Sequence, residues 1–482
     1  MRRGGHRDLA ALLPEDVLAE VLRHVAVPRW LAISRCVCKA WRAIIDCEGL
    51  LHTELPFSGI FIHFQDHPFP EFFTRPPAPC HPAISGKLDF LPSANKARPD
   101  THCYYIKDHC NGLLLVGVST VELPTHNAFV VNPATRRWDT LPSCHATEIV
   151  SHVRYREYLA FDPIMSSHHL VFRIPYLLTP SPWGDACDPL EEASEWPPSL
   201  YKLDVFSSRT RRWEDRLFVR EGGAVGTVGK TRCPLDYLSY KQSLLSVYWR
   251  GSLYVHCQTN FVMRISLSED KYSMIRPPRT IEGEPYLGRS EKGVYFATFF
   301  EGHIRIFILN ESCDQTQWMF KYDCDLEPVY AFVEQLQGPW ILQDINYDLF
   351  YSGLGEIDKE EVVKEASDWI SDNDDFDDKR DVGETSQARD VQTYILGFHP
   401  YKEIIFLCNL GTSESNVTGF AYHLNSFKVE ALGSMYPTFY NHCDESVLDW
   451  ESLDVHCFPY TPCCWIENAV EEDSESQSSS QT

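Results

Sequence analysis

The sequence predicts an α+β multidomain chain, in which a small N-terminal helical unit precedes a large all-β domain arranged as a β-propeller-like array. Three observations predict it. Residues 13–45 carry apolar side chains at helical spacing. From about residue 104 the chain turns to short aromatic and β-branched runs separated by turn residues. Within that second region a strand–turn–strand pattern ending in an aromatic recurs.

The helical unit begins at Leu13-Pro14, where a proline suits the first position of a helix because its missing N–H needs no partner there. Glu15 and Asp16 follow in the first turn, where negative charge favours the helix dipole. Val17, Leu18, Val21, Leu22 and Val25 form one apolar stripe, and Pro28 ends the helix. Trp30, Leu31 and Ile33 add apolar area, and Val37, Trp41, Ile44 and Ile45 make a second stripe beside Cys38. A unit of this size buries too little surface to stabilise itself without help. It shows no metal-ligand spacing, so the extra apolar face is expected to dock on another protein.

Residues 53–103, rich in Pro, Phe and His, read as an irregular linker. Strand candidates follow at Leu113–Val116, Ala128–Val131, Tyr158–Phe161, His169–Ile174, Tyr201–Phe206, Ser252–His256, Phe261–Ile265, Gly293–Phe299, Ile304–Leu309, Tyr394–Phe398, Ile404–Leu407 and Gly419–Leu424. The repeat aligns Val130–Trp138 without gaps to Val205–Trp213. Looser copies run from Arg264 to Tyr272, from Ile308 to Trp318 and from Tyr422 to Phe427. Each copy reads as a hairpin whose aromatic, Trp138 and Trp213 above all, wedges between neighbouring sheets. Six or seven such units would fill residues 104–465. Residues 178–198 read as a loop insertion in that domain.

The formal charge is −25 over 482 residues, which argues against nucleic acid as a ligand. Much of it is local. Residues 356–390 hold fourteen acids and five bases and read as a disordered acidic insertion; the Ser-rich tail 466–482 holds five acids and no base. No stretch is apolar enough to span a membrane, and no secretory pattern opens the chain, so its 17 cysteines read as reduced thiols of a cytoplasmic or nuclear protein.

Chemistry-bearing motifs mostly fail on inspection. Ala224–Thr231 fits a relaxed phosphate-loop pattern, but charged residues precede it and Pro234 follows, so it reads as a flexible glycine loop. The acidic insertion puts Phe376 and Asp377 where a calcium loop needs an oxygen ligand and then glycine. His102-Cys103 with His109-Cys110 could form a zinc set only if two strands brought them together. No spacing picks out an acid–base pair, so the reading is non-catalytic, without cofactor or metal.

Residues 9–52 resemble the F-box, from the Leu13-Pro14 start through Leu18, Val21 and Leu22 to the Val37-Cys38-Lys39-Ala40-Trp41-Arg42 block. The resemblance implies a three-helix unit in which Leu13, Pro14, Leu18, Val21, Leu22, Ile33, Val37, Cys38 and Trp41 meet a Skp-family adaptor and, through it, a cullin of a ubiquitin ligase. Cys110–Leu115, Val131–Trp138 with Leu141-Pro142, and Leu159–Pro163 are similar to the kelch-like F-box-associated domain of plant F-box proteins. That similarity implies a domain that holds a protein substrate. An F-box scaffold without a role in degradation, and a propeller-type enzyme, are the alternatives.

Overall fold

The computed structural model describes Glu15–Arg23, Ser34, Trp41 and Ile44 of the N-terminal unit, residues 57–346 except several connections, and residues 392–463 except 411–416 and 438–455. Structural statements below concern these residues. The expected insertion at 356–390 and the tail at 466–482 lie outside them.

In the helical unit, α1 (Glu15–Arg23) is present. The other helices implied for it lie outside the described residues. All else of note is β structure, and the reason is local. Aromatic and β-branched residues alternate faces along each strand, so every strand has two apolar sides to bury.

Twenty-four of the strands assemble into six four-stranded antiparallel units. Unit I holds β3 (His102–Cys110), β4 (Leu113–Thr120), β5 (Ala128–Asn132) and β6 (Arg137–Leu141). Unit II holds β7 (Val153–Ala160), β8 (Leu170–Leu177), β10 (Leu200–Ser207) and β11 (Arg212–Glu221). Unit III holds β13 (Ser246–Trp249), β14 (Ser252–Cys257), β15 (Phe261–Ser266) and β16 (Lys271–Ile275). Units II and III fuse into one eight-stranded sheet, because Val219–Glu221 pair in parallel with Lys271–Ser273. Unit IV holds β17 (Glu284–Ser290), β18 (Gly293–Phe300), β19 (His303–Ser312) and β20 (Gln315–Asp325). Unit V holds β22 (Gln392–Phe398), β23 (Ile404–Leu410), β24 (Val417–His423) and β25 (Val429–Ser434).

Unit VI is assembled from distant parts of the chain. It joins β1 (Gly59–His63), β2 (Glu71–Thr74), β21 (Ile341–Leu342) and β26 (His456–Tyr460). The sequence reading of 53–103 as a linker is therefore corrected: this segment supplies two strands of the β domain. Their partners lie far downstream, with Gly59 opposite Tyr460 and Phe73 opposite Leu342. After the short helix α4 (Glu327–Val333), the chain returns to unit VI through the buried carboxyl of Glu71. Glu71 accepts from the amides of Ile345 (2.8 Å) and Asn346 (3.1 Å) and from Asn346 Nδ2 (2.6 Å).

The six units pack face to face in a closed cycle. Ile60 and Ile62 of β1 face unit V, against Leu396 and Phe406; Phe61, on the opposite face, meets Tyr104 and Leu114 of unit I. Leu113 and Leu115 then meet Leu159 and Phe206 of unit II. Phe172 and Phe218 meet Val255 and Ile265 of unit III. Val262 meets Phe296 of unit IV, and Ile306 meets Leu407 of unit V. Each sheet is thus buried on both faces, and none could keep its core without its neighbours.

Two turn geometries set the hairpins. Asn111-Gly112, Arg250-Gly251 and Glu301-Gly302 each place two successive residues at positive φ, the two-residue turn whose twist matches antiparallel strands. The repeated hairpins use another device: Arg136 (φ 55°), Arg211 (56°), Asp270 (55°) and Phe427 (57°) each sit left-handed at the end of the turn. The aromatic after that turn behaves as expected in three copies, since Tyr272 is buried between units II and III and Trp213 and Trp318 pack at the edges of their inter-sheet cores. Phe427 of the fifth copy is 62% exposed, and Trp138 also departs from the expectation. Trp138 is 39% exposed and touches Phe129 edge-on at 5.5 Å, because the outer strand β6 stands at the rim.

The described part of residues 178–198 is more than a plain loop. It contains α2 (Pro189–Ala193) and β9 (Glu195–Trp196), the latter paired with β12 (Gly226–Thr227).

The composition of unit VI yields a direct test. A fragment beginning at residue 57 should give a monodisperse, β-rich protein by size exclusion and circular dichroism. One beginning at residue 104 lacks β1 and β2, leaves Phe458 and Tyr460 uncovered, and should aggregate.

Candidate docking surface and the polar contacts around it

In α1 the predicted apolar stripe divides into two jobs. Leu18, Ala19 and Leu22 are buried together with Ile44, and Trp41 packs against them at partial exposure. Val17 and Val21, one turn apart, remain 42% and 50% exposed. Burial of the first set fixes the helix; the second set is left as an apolar pair facing solvent. Leu13, Pro14, Ile33, Val37 and Cys38, also expected to meet the adaptor, lie outside the described residues.

The motifs of the β domain turn out to be joints. Cys110 ends β3, and its thiol donates to the Phe161 carbonyl and accepts from the Phe161 amide, both at 3.3 Å. Burial pushes that thiol up to about 12, far from the range of a nucleophile. Asn111 Nδ2 donates to the same carbonyl at 2.6 Å, while its Oδ1 accepts from the Arg289 guanidinium of unit IV. Gly112 has φ 85°, and a Cβ there would lie 2.6 Å from the Cys463 amide nitrogen, so the turn requires glycine twice over. Its carbonyl accepts from the Tyr460 hydroxyl at 3.0 Å. Asn132 is buried, donates to the Cys463 carbonyl at 3.0 Å, and caps its own turn by accepting from the Thr135 amide. The Asn-Pro motif therefore holds the C-terminal strand in place.

Asp108 ties three units together. Its carboxyl accepts from the Leu159 amide of unit II at 2.6 Å and from the Ser246 hydroxyl of unit III at 2.8 and 2.9 Å. Burial raises it to about 7, opposed by those hydrogen bonds. Sequence reasoning missed Asp108 because a single acid in a nine-residue strand carries no spacing signal.

The remaining candidates dissolve on geometry. His102-Cys103 and His109-Cys110 sit at opposite ends of β3, seven residues or about 23 Å apart, so they cannot converge on one ion. Among the described residues no group of three or more His, Cys, Asp or Glu is placed to hold a metal. The glycine loop is packed, against the expectation of flexibility. It forms the four-residue helix α3 (Val228–Thr231), the Val228 amide donates to the Ser194 carbonyl at 3.0 Å, and the Glu192 carboxylate crowds Gly229. A carboxylate there repels a phosphate. No described helix is long and apolar enough to cross a membrane.

With this geometry in view, comparison with known proteins identifies the N-terminal unit. Residues 11–53 match the model of the F-box domain. The chain thus carries an F-box domain at its N-terminal end. A relative from Arabidopsis thaliana, "Putative F-box protein", is 31% identical over 136 residues, 28% of this chain. The match covers 34% of that relative's length. Among solved structures, the computationally designed Ika8 protein aligns at 8% identity and a TM-score of 0.27, over 69% of this chain and 63% of the design. A prolyl endopeptidase aligns at 9% identity and the same TM-score, over 87% of this chain and 54% of its own. Likenesses of that size carry no argument about this protein.

Its buried ionisable groups give a pH signature. Burial lowers His67 to about 4 and His109, His169 and His399 to about 3; Arg289 adds to the effect at His109, His168 and Arg211 at His169, Lys402 and His423 at His399. Between those values and the ordinary 6.5, the unfolded chain binds protons that the folded chain refuses. Stability is therefore lost as pH falls from about 6.5, by roughly 1 kcal/mol per pH unit for each histidine. Glu71 and Asp108, both raised to about 7 chiefly by burial, act oppositely: they are protonated when folded and ionised when unfolded, so their contribution falls as pH rises toward 7. Four histidines against two carboxyls leave a net loss on acidification. The melting temperature should fall between pH 6 and 5, and Glu71→Gln should steepen that fall.

Proposed function

We propose that this protein is the substrate-recognition subunit of a Skp–cullin–F-box ubiquitin ligase, with the helical unit docking the adaptor and the β domain holding a protein substrate. The single observation that carries the first half is the exposed pair Val17 and Val21, on a helix inside the matched F-box region whose other apolar side chains are already buried. An apolar pair of this kind gains free energy only when a partner removes it from water. The role is that of a non-catalytic adaptor. It is supported by the chemistry of the buried acids and thiols, which the structure uses to join strands, and it takes a soluble cytoplasmic or nuclear setting, where the cysteines stay reduced.

For the second half, the cyclic packing of six four-stranded units supports a six-bladed, kelch-like propeller, one unit per blade. Such a ring presents loops from several blades on one side, an arrangement suited to grasping a partner while the ring itself stays rigid. The joints made by Asn111, Asn132 and Asp108 supply that rigidity.

Two experiments test the reading. Val21→Asp places a charge where the adaptor would desolvate it, a cost of several kcal/mol. It should abolish co-purification with a Skp-family adaptor and leave the β-sheet circular dichroism unchanged, because Val21 is outside the buried cluster. Undiminished capture would overturn the docking assignment. Second, fusing an unrelated F-box to residues 57–482 should leave unchanged the set of proteins that gain ubiquitin. A set that follows the F-box donor would overturn the assignment of substrate choice to the β domain.

A further inference from the structure

The duplicated hairpins of units I and II bring five arginines to one rim. Arg136 and Arg137 close the β5–β6 turn, and Arg209, Arg211 and Arg212 close the β10–β11 turn. The two turns are neighbours, for Arg211 reaches across to Asp139 of β6 at 2.5 Å and Trp213 Nε1 donates to the Pro142 carbonyl at 2.7 Å. Arg137 and Asp139, two residues apart on a strand, share one face, so Arg137 flanks that bridge.

Charge accounting along the rim leaves a surplus. Arg136 is paired with Asp89 at 2.7 Å and Arg211 with Asp139. Arg137, Arg209 and Arg212 are exposed and make no ion pair among the described residues. The equivalent turn of unit III is opposite in character: it carries Glu269 and Asp270, and Asp270 holds Arg216 at 2.5 Å. The basic rim is therefore confined to two adjacent turns on a chain of net charge −25. Exposed Trp138 lies beside it.

We infer that this rim is a docking surface for an acidic peptide segment, a run of Asp and Glu side chains on a protein partner. A guanidinium presents a planar fork that pairs with a carboxylate through two parallel hydrogen bonds, and three unpaired forks on two neighbouring turns suit several carboxylates in succession. A nucleic acid fits less well, because a continuous phosphate chain would run off this short ridge onto the acidic turn of unit III. The inference deepens the receptor reading above by naming the substrate chemistry, yet it stands apart from ligase assembly and is tested without it.

The test is fluorescence anisotropy on the full chain, with a fluorescein-labelled dodecapeptide of alternating Asp and Gly as probe. The expected result is saturable binding that weakens as salt rises. The double substitution Arg137→Glu with Arg212→Glu should weaken it by about tenfold or more, while Arg276→Glu, an exposed arginine of unit III beyond β16, should change it less than about twofold. Circular dichroism of the double variant should match the parent, since neither side chain is buried. Four results would overturn the inference: no binding, equal binding of an Asn-Gly dodecapeptide, equal loss with Arg276→Glu, or equally tight binding of a dodecamer of deoxythymidine that responds to the same double substitution. Binding that emerges only when residues 356–390 are deleted would also overturn it, by assigning the arginines to the chain's own acids.

Discussion

The pairing of β1 with β26 is the constraint on which the β domain depends. Five residue pairs, from Gly59 opposite Tyr460 to His63 opposite His456, stitch the two ends of the domain into one sheet. Without that seam, unit VI loses its centre, and the inward faces of units I and V lose Phe61, Ile60 and Ile62. The polar joints reinforce the same seam from the side. Tyr460 is tied to Gly112, Cys463 to Asn132, and His109 stacks on Phe458 with ring centroids 3.8 Å apart. A cycle tolerates no missing member, so the energetic value of each face-to-face core is shared by all six.

Much of the fold was legible because alternation survives where a strand is buried on both sides. Leu113–Val116 and Ala128–Val131 read as strands and are strands, with successive residues facing different neighbours. Rim strands were harder. In β11 the order Arg212-Trp213-Glu214-Asp215-Arg216 carries a single aromatic and no apolar alternation, yet its backbone pairs with β10 throughout. Water covers one side of such a strand, so its composition carries little apolar signal. Unit VI was illegible for another reason. Gly59–His63 and Glu71–Thr74 are short, flanked by prolines, and their partners lie hundreds of residues away, beyond the reach of any local pattern. The buried Glu71 misleads further, because an acid in a core makes sense only once the amides of Ile345 and Asn346 are in view.

The functional sites show the same division. The order of residues at 13–45 suggested a docking unit, and α1 leaves Val17 and Val21 exposed. The spacing could not reveal that Leu18 and Leu22 serve packing, since the stripe looks continuous until Ile44 and Trp41 fold against half of it. In the β domain, the motif residues Asn111 and Asn132 were visible as turn formers. Their side-chain work, holding Phe161 and Cys463, depends on chain segments that no motif includes.

The seam between β1 and β26 also sets a timetable. Its two strands are separated by about 400 residues of chain, so during synthesis at about 5–20 residues per second the first must wait roughly 20–80 s for the second. Throughout that interval Ile60, Phe61 and Ile62 stand as an unpaired apolar edge, the kind of segment that recruits foreign strands. A nascent chain of this protein therefore exposes an aggregation-prone edge well before its fold can close. That exposure lasts while units II to V are being made.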